Sequence, residues 1–371
     1  MMAELAKWDL MNRVIFVNPL LSIRTVVKRN SGSLNSSINN YHKLLPSHIT
    51  PKLIVYTPIN ILPYKRYLAP LKKFGIRIML GIIRLLNSDK PYILFMNCPN
   101  IFSHYILDEL LKDAKLSVFD FSDDFVELSY GMNTTELFRR NVTKYAQKAD
   151  IVLAVNDHIK KKYSFLNTNI HVIRNATNYD NFDRKNYKII DFLERLKSSK
   201  KPIIGYSGIA NMSRIDSNIL DFLLEKKPDW QFVFIGPAKV NFLEKYMQNK
   251  NVHHIPPVNY DELPNYIYYF DVAIVPFKKN EHTKGNDLLK LHDYLAMGKP
   301  VVSTDIGGAE DLKDLISIAQ NPLDFLGQIE KTLFNSTLED VVRRKKMALK
   351  NSWHNRIKEV ESLIVNFLSP T

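Results

Sequence analysis

Short apolar runs, most of them ended by Pro, Asn or Asp, alternate with amphipathic stretches along the first half of the chain. The runs have the length of buried strands, whereas HYILDELLKDA and ELFRRNVTKYAQKA have the apolar spacing of helices. Because strands that alternate with helices favour parallel pairing, the pattern predicts a mostly parallel sheet. The predicted strands of this half are residues 13–20, 52–58, 92–99, 116–124, 150–156 and 170–176.

The second half repeats the alternation. Residues 184–200 separate the two halves, are highly charged and contain no Gly, so we interpret them as the connection between two domains. Residues 351–368 predict an amphipathic helix with one apolar side. The predicted strands of this half are residues 202–208, 231–237, 252–258, 271–277 and 299–304.

The fold class predicted from these elements is α/β, with two doubly wound Rossmann-like domains facing across a cleft. The N-terminal domain is predicted at residues 1–183 and the C-terminal domain at 201–350. Ligands of such sheets bind outside the carboxyl ends of the strands. A length of 371 residues agrees with two domains rather than one core.

The composition is that of a soluble globular protein, with 45% hydrophobic and 24% charged residues. No apolar stretch reaches the ~18 residues of a spanning helix. Glu4 and Asp9 precede any apolar run, which argues against a secretion signal. The single cysteine, Cys98, excludes an internal disulfide and a cysteine zinc site, so we expect a cytoplasmic protein.

The net charge of +13 is concentrated in the first half. Residues 1–200 hold 30 Lys and Arg against 17 Asp and Glu, whereas residues 201–371 hold 21 of each. The first hundred residues alone carry 14 basic and 3 acidic side chains. Because only one half is basic, we expect that half to meet a polyanion or an anionic membrane.

Residues 285–304, GNDLLKLHDYLAMGKPVVST, predict a short buried helix followed by a strand. Lys290 and Asp293 lie three residues apart, so they share one side of that helix. A lysine can contact phosphates and an acid can accept from ribose hydroxyls, which favours a nucleotide-diphosphate site. The alternative is an exposed ion pair, but the surrounding leucines favour burial, and a buried lysine needs a partner.

Five further residues are candidates for this nucleotide-diphosphate site. Gly208 ends a predicted strand, where glycine lets the backbone approach a phosphate beside a helix N-terminus. Arg214 could reach the same phosphates, although a solvated helix position is slightly favoured for it. Pro257 and Val258 could place backbone groups against a nucleobase. Leu289 also belongs to this predicted nucleotide-binding set.

The pair His253 and His254 resembles a metal site only superficially. Adjacent strand residues point to opposite faces of a sheet, so the two side chains can hardly bind one ion. We therefore favour packing or surface roles, and no metal or other cofactor is predicted.

The segment FDFSDD places Asp120, Asp123 and Asp124 at and after a strand end. A carboxylate in a cleft can take a proton from an attacking hydroxyl. The alternative is a helix N-cap, since Asp is favourable there. We predict that one of Asp123 and Asp124 is the cap and the other a catalytic base.

Residues 61–86 mix basic side chains with Tyr, Phe, Ile and Leu, a composition typical of interfacial segments. The alternative is an ordinary basic helix packed on the sheet, and nucleic acid is a less favoured polyanion because no binding motif is present. We predict membrane or acceptor contact through Lys65, Arg66, Lys72, Lys73 and Arg77.

These motifs resemble those of the GT-B glycosyltransferases, particularly bacterial family-4-like enzymes of the teichuronic-acid type and the membrane-associated glucuronosyltransferases of exopolysaccharide assembly. FDFSDD is similar to the group's Tyr-Asp-x-x-Asp-Asp element, and HVIRNATNYDNF to its Ile-Pro-Asn-Gly-Val-Asp-x-x-Phe element. The block at residues 286–304 is the most specific, and NSWHNR resembles the segment that opens the last helix.

The resemblance implies a metal-independent hexosyltransferase that moves a sugar from a nucleotide-diphosphate sugar, UDP first, to a lipid-linked or polysaccharide acceptor of the cell envelope. Lys290 would contact the phosphates, Asp293 the ribose, and Gly208 would lie close to the diphosphate. Asp123 or Asp124 would be the base. The final helix, 351–371, would return to the N-terminal domain, and the enzyme would sit peripherally at the inner face of the membrane.

Three departures from the family pattern leave alternatives open. Gly285 stands where retaining enzymes carry a Glu, and Asp293 where a Glu is more usual, so retention and inversion both remain possible. Asn175-Ala176 replaces Asn-Gly. The family's first strand is predicted to be missing, since the chain starts in what resembles the following helix. A nucleotide-sugar epimerase of the same fold and a non-catalytic nucleotide-binding relative are the competing functions.

Overall fold

The structure of the protein is a computed structural model that describes residues 13–17, 21–22, 47–48, 50–56, 59–60, 69–88, 90–97, 103–132, 134–184 and 186–369. The chain divides into two compact units. The first unit comprises Met1–Ala154, Lys160–Val172 and Glu359–Thr371, and the second comprises Val155–Ile159 and Ile173–Lys358.

The first unit contains a four-stranded parallel sheet in the order β6-β7-β8-β9. A second sheet has the order β1-β4-β3, in which β1 and β4 are parallel, and β2 pairs with β5. The strands are β1 Val14–Val17, β2 Leu21–Ser22, β3 Ser47–His48, β4 Leu53–Tyr56, β5 Ile59–Asn60, β6 Tyr92–Asn97, β7 Ala114–Phe121, β8 Ile151–Ala154 and β9 Ile170–Val172.

The helices that accompany these strands carry their apolar side toward the sheets. In α4, Val142, Tyr145 and Ala146 are buried at helical spacing. The helices, of which α5 crosses the boundary between the units, are α1 Ala69–Asn87, α2 Ser103–Asp113, α3 Phe125–Leu128, α4 Thr135–Lys148 and α5 Asp157–Tyr163.

Strand β7 forms the centre of this unit. Its residues Leu116, Val118 and Phe119 have no exposed surface, and the Phe121 ring stacks on Tyr163 at 4.5 Å. The strand predicted at 116–124 ends at Phe121 instead, because the chain bends at Ser122 and Asp123 before α3 begins.

The second unit is built on a six-stranded parallel sheet in the order β12-β11-β10-β13-β14-β15. Strand β10 lies between β11 and β13, so the direction in which the chain winds reverses there. Such a reversal opens a ligand crevice at the carboxyl ends of the strands. The strands are β10 Ile203–Ser207, β11 Gln231–Ile235, β12 Val252–Ile255, β13 Val272–Val275, β14 Val301–Thr304 and β15 Ser317–Ala319.

Helices surround this sheet, and one large apolar core fills the space between them. A short 3₁₀ helix spans Glu310–Leu312. The α-helices are α6 Tyr179–Phe182, α7 Asp191–Ser198, α8 Ser217–Lys226, α9 Val240–Tyr246, α10 Leu263–Ile267, α11 Glu281–Lys284, α12 Leu289–Ala296, α13 Pro322–Asn335, α14 Leu338–Lys350 and α15 Trp353–Leu368.

The residues predicted to connect two domains, 184–200, lie within the second unit. They contain α7, whose Leu193 has no exposed surface and belongs to the core of this unit. The charged residues that suggested a linker include Asp191, Glu194 and Arg195, all exposed on the other faces of the helix. The division between the units instead follows β9.

The predicted tail helix corresponds to α15, in which Ile357, Val360 and Ile364 are buried at helical spacing. Its residues from Glu359 onward belong to the first unit. Within the described parts of the chain, no helix combines the length and the apolar character that crossing a membrane requires.

We expect Gly205→Ala to destabilise the second unit strongly. A Cβ at Gly205 would lie 2.1 Å from the Phe270 ring, which has no room to move inside the core. Overpacking of this kind costs about 2–3 kcal/mol. Urea unfolding of the variant would show it as a lower midpoint.

Gly327→Ala in α13 is the matched control, because nothing lies within 4 Å of its added methyl group. That variant should be neutral or more stable by about 0.5–1 kcal/mol, since Ala favours helix. Equal effects of the two substitutions would contradict the packing described here.

Candidate functional site

Two glycines mark the carboxyl ends of neighbouring strands at the reversal point. Gly208 follows β10 with φ +127°, and Gly236 follows β11 with φ +124°. A Cβ on Gly236 would lie 2.7 Å from the Gly208 carbonyl oxygen, and one on Gly208 would lie 2.7 Å from Lys290 Nζ. Both positions therefore need glycine, which keeps backbone and ammonium in close approach.

Lys290, in the first turn of α12, is held by aromatic side chains. Its Nζ donates to Tyr206 Oη at 3.0 Å and lies 4.1 Å and 4.9 Å from the ring centroids of Tyr206 and Phe277. Among the described residues it makes no salt bridge. Burial lowers the pKa of Lys290 to about 7, with the Arg214 charge adding to this and the Asp293 charge opposing it. An arriving anion would stabilise the charged form.

Asp293 lies one turn further along α12 and is buried. Its Oδ1 accepts from Thr177 Oγ1 at 2.8 Å and from Tyr260 Oη at 2.9 Å. Burial raises the pKa of Asp293 to about 6, and these two hydrogen bonds oppose the rise. The predicted pair thus shares one side of the helix, but each member has its own partners and no ion pair joins them.

The other residues predicted for the donor site differ in their exposure and in their place in the sheet. Arg214 is half-buried in the loop after Gly208, and its charge acts on Lys290. Leu289 is 45% exposed at the start of α12. Pro257, exposed, and Val258, half-buried, follow β12, the edge strand two places from β10. Their contact with a ligand stays a prediction.

The structure adds residues that the sequence did not indicate. Tyr206 was overlooked, although it lies two residues before Gly208, because a strand tyrosine is usually a packing residue. Thr177 was overlooked because its partner Asp293 is 116 residues away. Asn175 is similarly distant from Asp287, whose Oδ2 accepts from the Asn175 amide at 2.8 Å. No local signal reveals such pairs.

The two adjacent histidines make separate hydrogen bonds. His253 Nε2 lies 2.8 Å from Gln231 Oε1, and His254 Nε2 lies 2.8 Å from the Gly236 carbonyl oxygen. Within the part of the chain that the structure describes, no cluster of three or more His, Cys, Asp or Glu side chains could hold a metal ion.

Asp124 in the first unit is the N-cap of α3. Its Oδ1 accepts from the amides of Val126 and Glu127 at 3.2 Å and from Tyr163 Oη at 2.8 Å. Its Oδ2 accepts from Lys162 Nζ at 2.8 Å, and the side chain has no exposed surface. Of the two acids, Asp124 is thus the one that caps the helix.

The other two acids are less enclosed. Asp123 is half-buried, and its Oδ1 accepts from the Asp124 amide at 2.8 Å. Asp120, near the end of β7, accepts through Oδ2 from Asn97 Nδ2 at 3.0 Å. Burial raises the pKa of Asp120 to about 6 against that hydrogen bond. A catalytic role for Asp123 or Asp124 stays a prediction.

The basic segment is only partly described. Lys65 and Arg66 lie outside the described residues. Lys72 and Lys73 fall in α1, of which only the backbone is described at these positions, and Arg77 is exposed on the same helix.

Comparison with known sequences decides the class of protein. Residues 210–335 match the family described as glycosyl transferases group 1. A teichuronic acid biosynthesis glycosyltransferase, TuaH of Bacillus subtilis (strain 168), is 25% identical over 284 residues, which is 72% of this chain and 69% of TuaH. The chain is a glycosyltransferase. The group 1 match covers α12 and the loop that carries Arg214.

Solved structures similar to this glycosyltransferase show the same fold. HepE of Anabaena in complex with UDP and glucose is 12% identical, with a TM-score of 0.62 over 86% of this chain and 87% of HepE. Sucrose-phosphate synthase of Thermosynechococcus elongatus is 13% identical, with a TM-score of 0.65 over 96% and 99%. Both are GT-B enzymes, so the predicted GT-B fold is confirmed.

Asp124→Ala should destabilise the first unit by about 2–4 kcal/mol, because it removes the cap of α3 and a buried partner of Lys162. Burial by itself would lower the pKa of Lys162, but the hydrogen bonds to Asp124 and Glu127 outweigh it and raise that pKa. Denaturant unfolding followed by circular dichroism measures the loss.

Asp123→Asn provides the comparison, since the amide oxygen can still accept from the Asp124 backbone. We expect it to change stability by less than about 0.5 kcal/mol. If Asp123→Asn unfolded as easily as Asp124→Ala, the division of roles between cap and second acid would be wrong.

Proposed function

We propose that the glycosyltransferase moves a sugar from a nucleotide-diphosphate sugar, bound by the second unit, to an acceptor hydroxyl. The observation that carries this proposal is Lys290, a partly buried cation without a salt bridge among the described residues. It lies beside Gly208 at the point where the sheet winding reverses. Anionic ligands favour such a position because backbone, cation and strand ends converge there.

A uridine nucleotide is the donor that the related structures support. HepE is described in complex with UDP and glucose, and a trehalose-6-phosphate enzyme of E. coli is bound with UDP-2-fluoro glucose. The latter is 12% identical, with a TM-score of 0.64 over 95% of this chain and 99% of that enzyme. Lys290 and Arg214 would contact the diphosphate. Asp293, with its hydrogen-bond donors Thr177 and Tyr260, would face the ribose.

A lipid-linked or polysaccharide acceptor in bacterial surface polysaccharide synthesis is our proposal for the other substrate. It is supported by the similarity to TuaH, whose name refers to teichuronic acid biosynthesis, and by the basic first half of the chain. A basic surface attracts anionic lipids and anionic polymers. We place the enzyme in the cytoplasm, peripheral at the inner face of the membrane.

The chemistry would proceed by attack of the acceptor hydroxyl on the anomeric carbon while the nucleoside diphosphate leaves. Asp123 is the preferred base, since the carboxylate of Asp124 already accepts four hydrogen bonds. Lys290 and Arg214 would stabilise the charge on the leaving diphosphate. Because these two cations can take the part of a metal ion, we propose a reaction that needs no metal or other cofactor.

UDP should raise the melting temperature of the full chain, because a ligand that binds the folded state stabilises it by mass action. In Lys290→Ala the affinity for UDP should fall at least about tenfold, as expected for the loss of a charge-assisted phosphate contact. Thermal-shift titration measures both, and transfer is then assayed with UDP-sugars and a lipid-linked acceptor.

Lys250→Ala, an exposed lysine elsewhere in the second unit, is the control and should bind UDP normally. Unchanged affinity in Lys290→Ala would refute the donor site. Binding without transfer to any acceptor would indicate a non-catalytic relative, and interconversion of free UDP-sugars would indicate an epimerase.

The affinity for UDP should depend on pH in a defined direction. The pKa of Lys290 is lowered to about 7 by burial, so the free protein must take up a proton at this residue above pH 7 to bind the diphosphate. Affinity should therefore fall as pH rises from 7 to 9, by at most about tenfold per pH unit.

Lys290→Met lacks the titrating group, so its weaker binding should be nearly constant over the same range. Both proteins are compared by calorimetry above pH 7, where the terminal phosphate is largely ionised. An equal pH dependence in the two proteins would assign the effect to another group.

A further inference from the structure

A basic cavity lies in the second unit, at the amino ends of β10, β13 and β14, opposite the strand ends that carry Gly208. Its volume is about 500 Å³. Four lysines line it, Lys197, Lys200, Lys201 and Lys299, against a single acid, Asp271. The donor site uses none of these residues.

The charges of this cavity are not balanced by the protein. Asp271 pairs with Lys197, and its Oδ2 accepts from the Ile203 amide at 2.8 Å. Lys200 and Lys201 are exposed and make no salt bridge with the described residues. The cavity therefore holds more positive charge than its one carboxylate can offset.

Lys299 adds a largely buried positive charge to the cavity. Its Nζ donates to the carbonyl oxygens of Tyr268 at 2.6 Å and Phe270 at 2.9 Å. Burial lowers the pKa of Lys299 to about 8; the Asp271 charge opposes this, and the Lys197 and Lys345 charges add to it. An anion in the cavity would stabilise the charged form of Lys299.

Apolar side chains line the cavity, and exposed apolar side chains lie close to these in the sequence. Leu333 and Val341 line it. The neighbouring Phe334, at the end of α13, is 87% exposed. Leu338 and Val342, one turn apart on α14, are 86% and 64% exposed, and their spacing puts them on one face.

The lysines and the exposed apolar side chains together favour one class of ligand over others. A small soluble anion would engage the lysines but leave the apolar side chains in water. A neutral protein surface would cover the apolar side chains but leave the lysines unpaired. An anionic lipid surface satisfies both, because headgroup phosphates meet the lysines while the apolar side chains enter the acyl boundary.

We propose that this lysine-lined cavity and the exposed face of Phe334, Leu338 and Val342 form an anionic-membrane docking surface of the second unit. The surface is separate from the basic segment 61–86 and goes beyond the proposed sugar transfer. Of the nearby acids, Asp340 pairs with Arg343 at 3.6 Å and completes the capping box of Thr337 at the start of α14. Glu339 is exposed and limits the attraction.

The test is cosedimentation of the full chain with phosphatidylcholine vesicles, with and without phosphatidylglycerol. We expect binding only to the anionic vesicles. Lys201→Glu should lower the partition coefficient about tenfold, since each basic side chain near an anionic surface contributes to attraction. Leu338→Ser should lower it to a similar extent by removing an inserting side chain.

Two matched control positions follow the carboxyl end of β11, at the end of the sheet opposite the cavity. Lys239→Glu changes the charge equally, and Val240→Ser removes another apolar side chain, which is 68% exposed. Neither should alter binding. Circular dichroism melts of all four variants confirm that they remain folded, which surface substitutions of this kind permit.

Several results would overturn the proposal. No binding to anionic vesicles would do so, as would equal losses in the controls. If Lys201→Glu mattered but Leu338→Ser did not, and free phosphate displaced the protein, the cavity would be a soluble-anion site. If Lys72→Ala with Lys73→Ala abolished binding while Lys201→Glu left it unchanged, the first unit alone would dock. UDP binding and transfer to a soluble acceptor are unaffected by these outcomes.

Discussion

The close approach of Lys290 to the backbone at Gly208 is the constraint on which the candidate site depends. It requires a residue without Cβ at the end of β10. The neighbouring Gly236 must also lack a Cβ, because it leaves the space that the Gly208 carbonyl oxygen occupies. The close approach also requires aromatic side chains that solvate an ammonium without neutralising it, which Tyr206 and Phe277 provide. The result is a cation that makes no salt bridge with the described residues, as the proposed diphosphate site requires.

Environment rather than residue type separates the acids near the end of β7. Asp124 accepts four hydrogen bonds, through which it caps α3 and pairs with Lys162. Asp123 is half-buried, and burial raises the pKa of Asp120 to about 6. Three carboxylates within five residues thus lie in three different environments.

Much of the fold follows from the sequence, because buried strands leave an unbroken apolar run. Phe232 to Ile235 and Val272 to Val275 are recognisable in this way, and the position of α12 follows from its leucines and Gly298. Strand ends were placed too far along the chain where polar residues followed without a clear stop, as after Phe121. The strand Ser317–Ala319 was not predicted because three residues carry too little pattern. Helix α7 was taken for a linker because Leu193 is its one fully buried residue.

The site was less predictable than the fold. Lys290, Asp293 and Gly208 could be found because each stands in a local pattern with its own chemistry. Tyr206, Thr177 and Tyr260 could not, since their roles arise only when distant segments fold together. The cap of α3 was foreseen as one of two acids, and only the backbone geometry distinguishes Asp124 from Asp123.

The link between Asn175 and Asp287 has a consequence for the order of synthesis. Residues 175 to 177 leave the ribosome more than a hundred residues before their partners, which are 112 and 116 positions later. Contacts of such separation form late, because the intervening chain must first be closed into a loop. A nascent chain that stops before α12 can have most of the sheet of its second unit, yet no site at all. The capacity to bind substrate can therefore arise only after α12 has been synthesised.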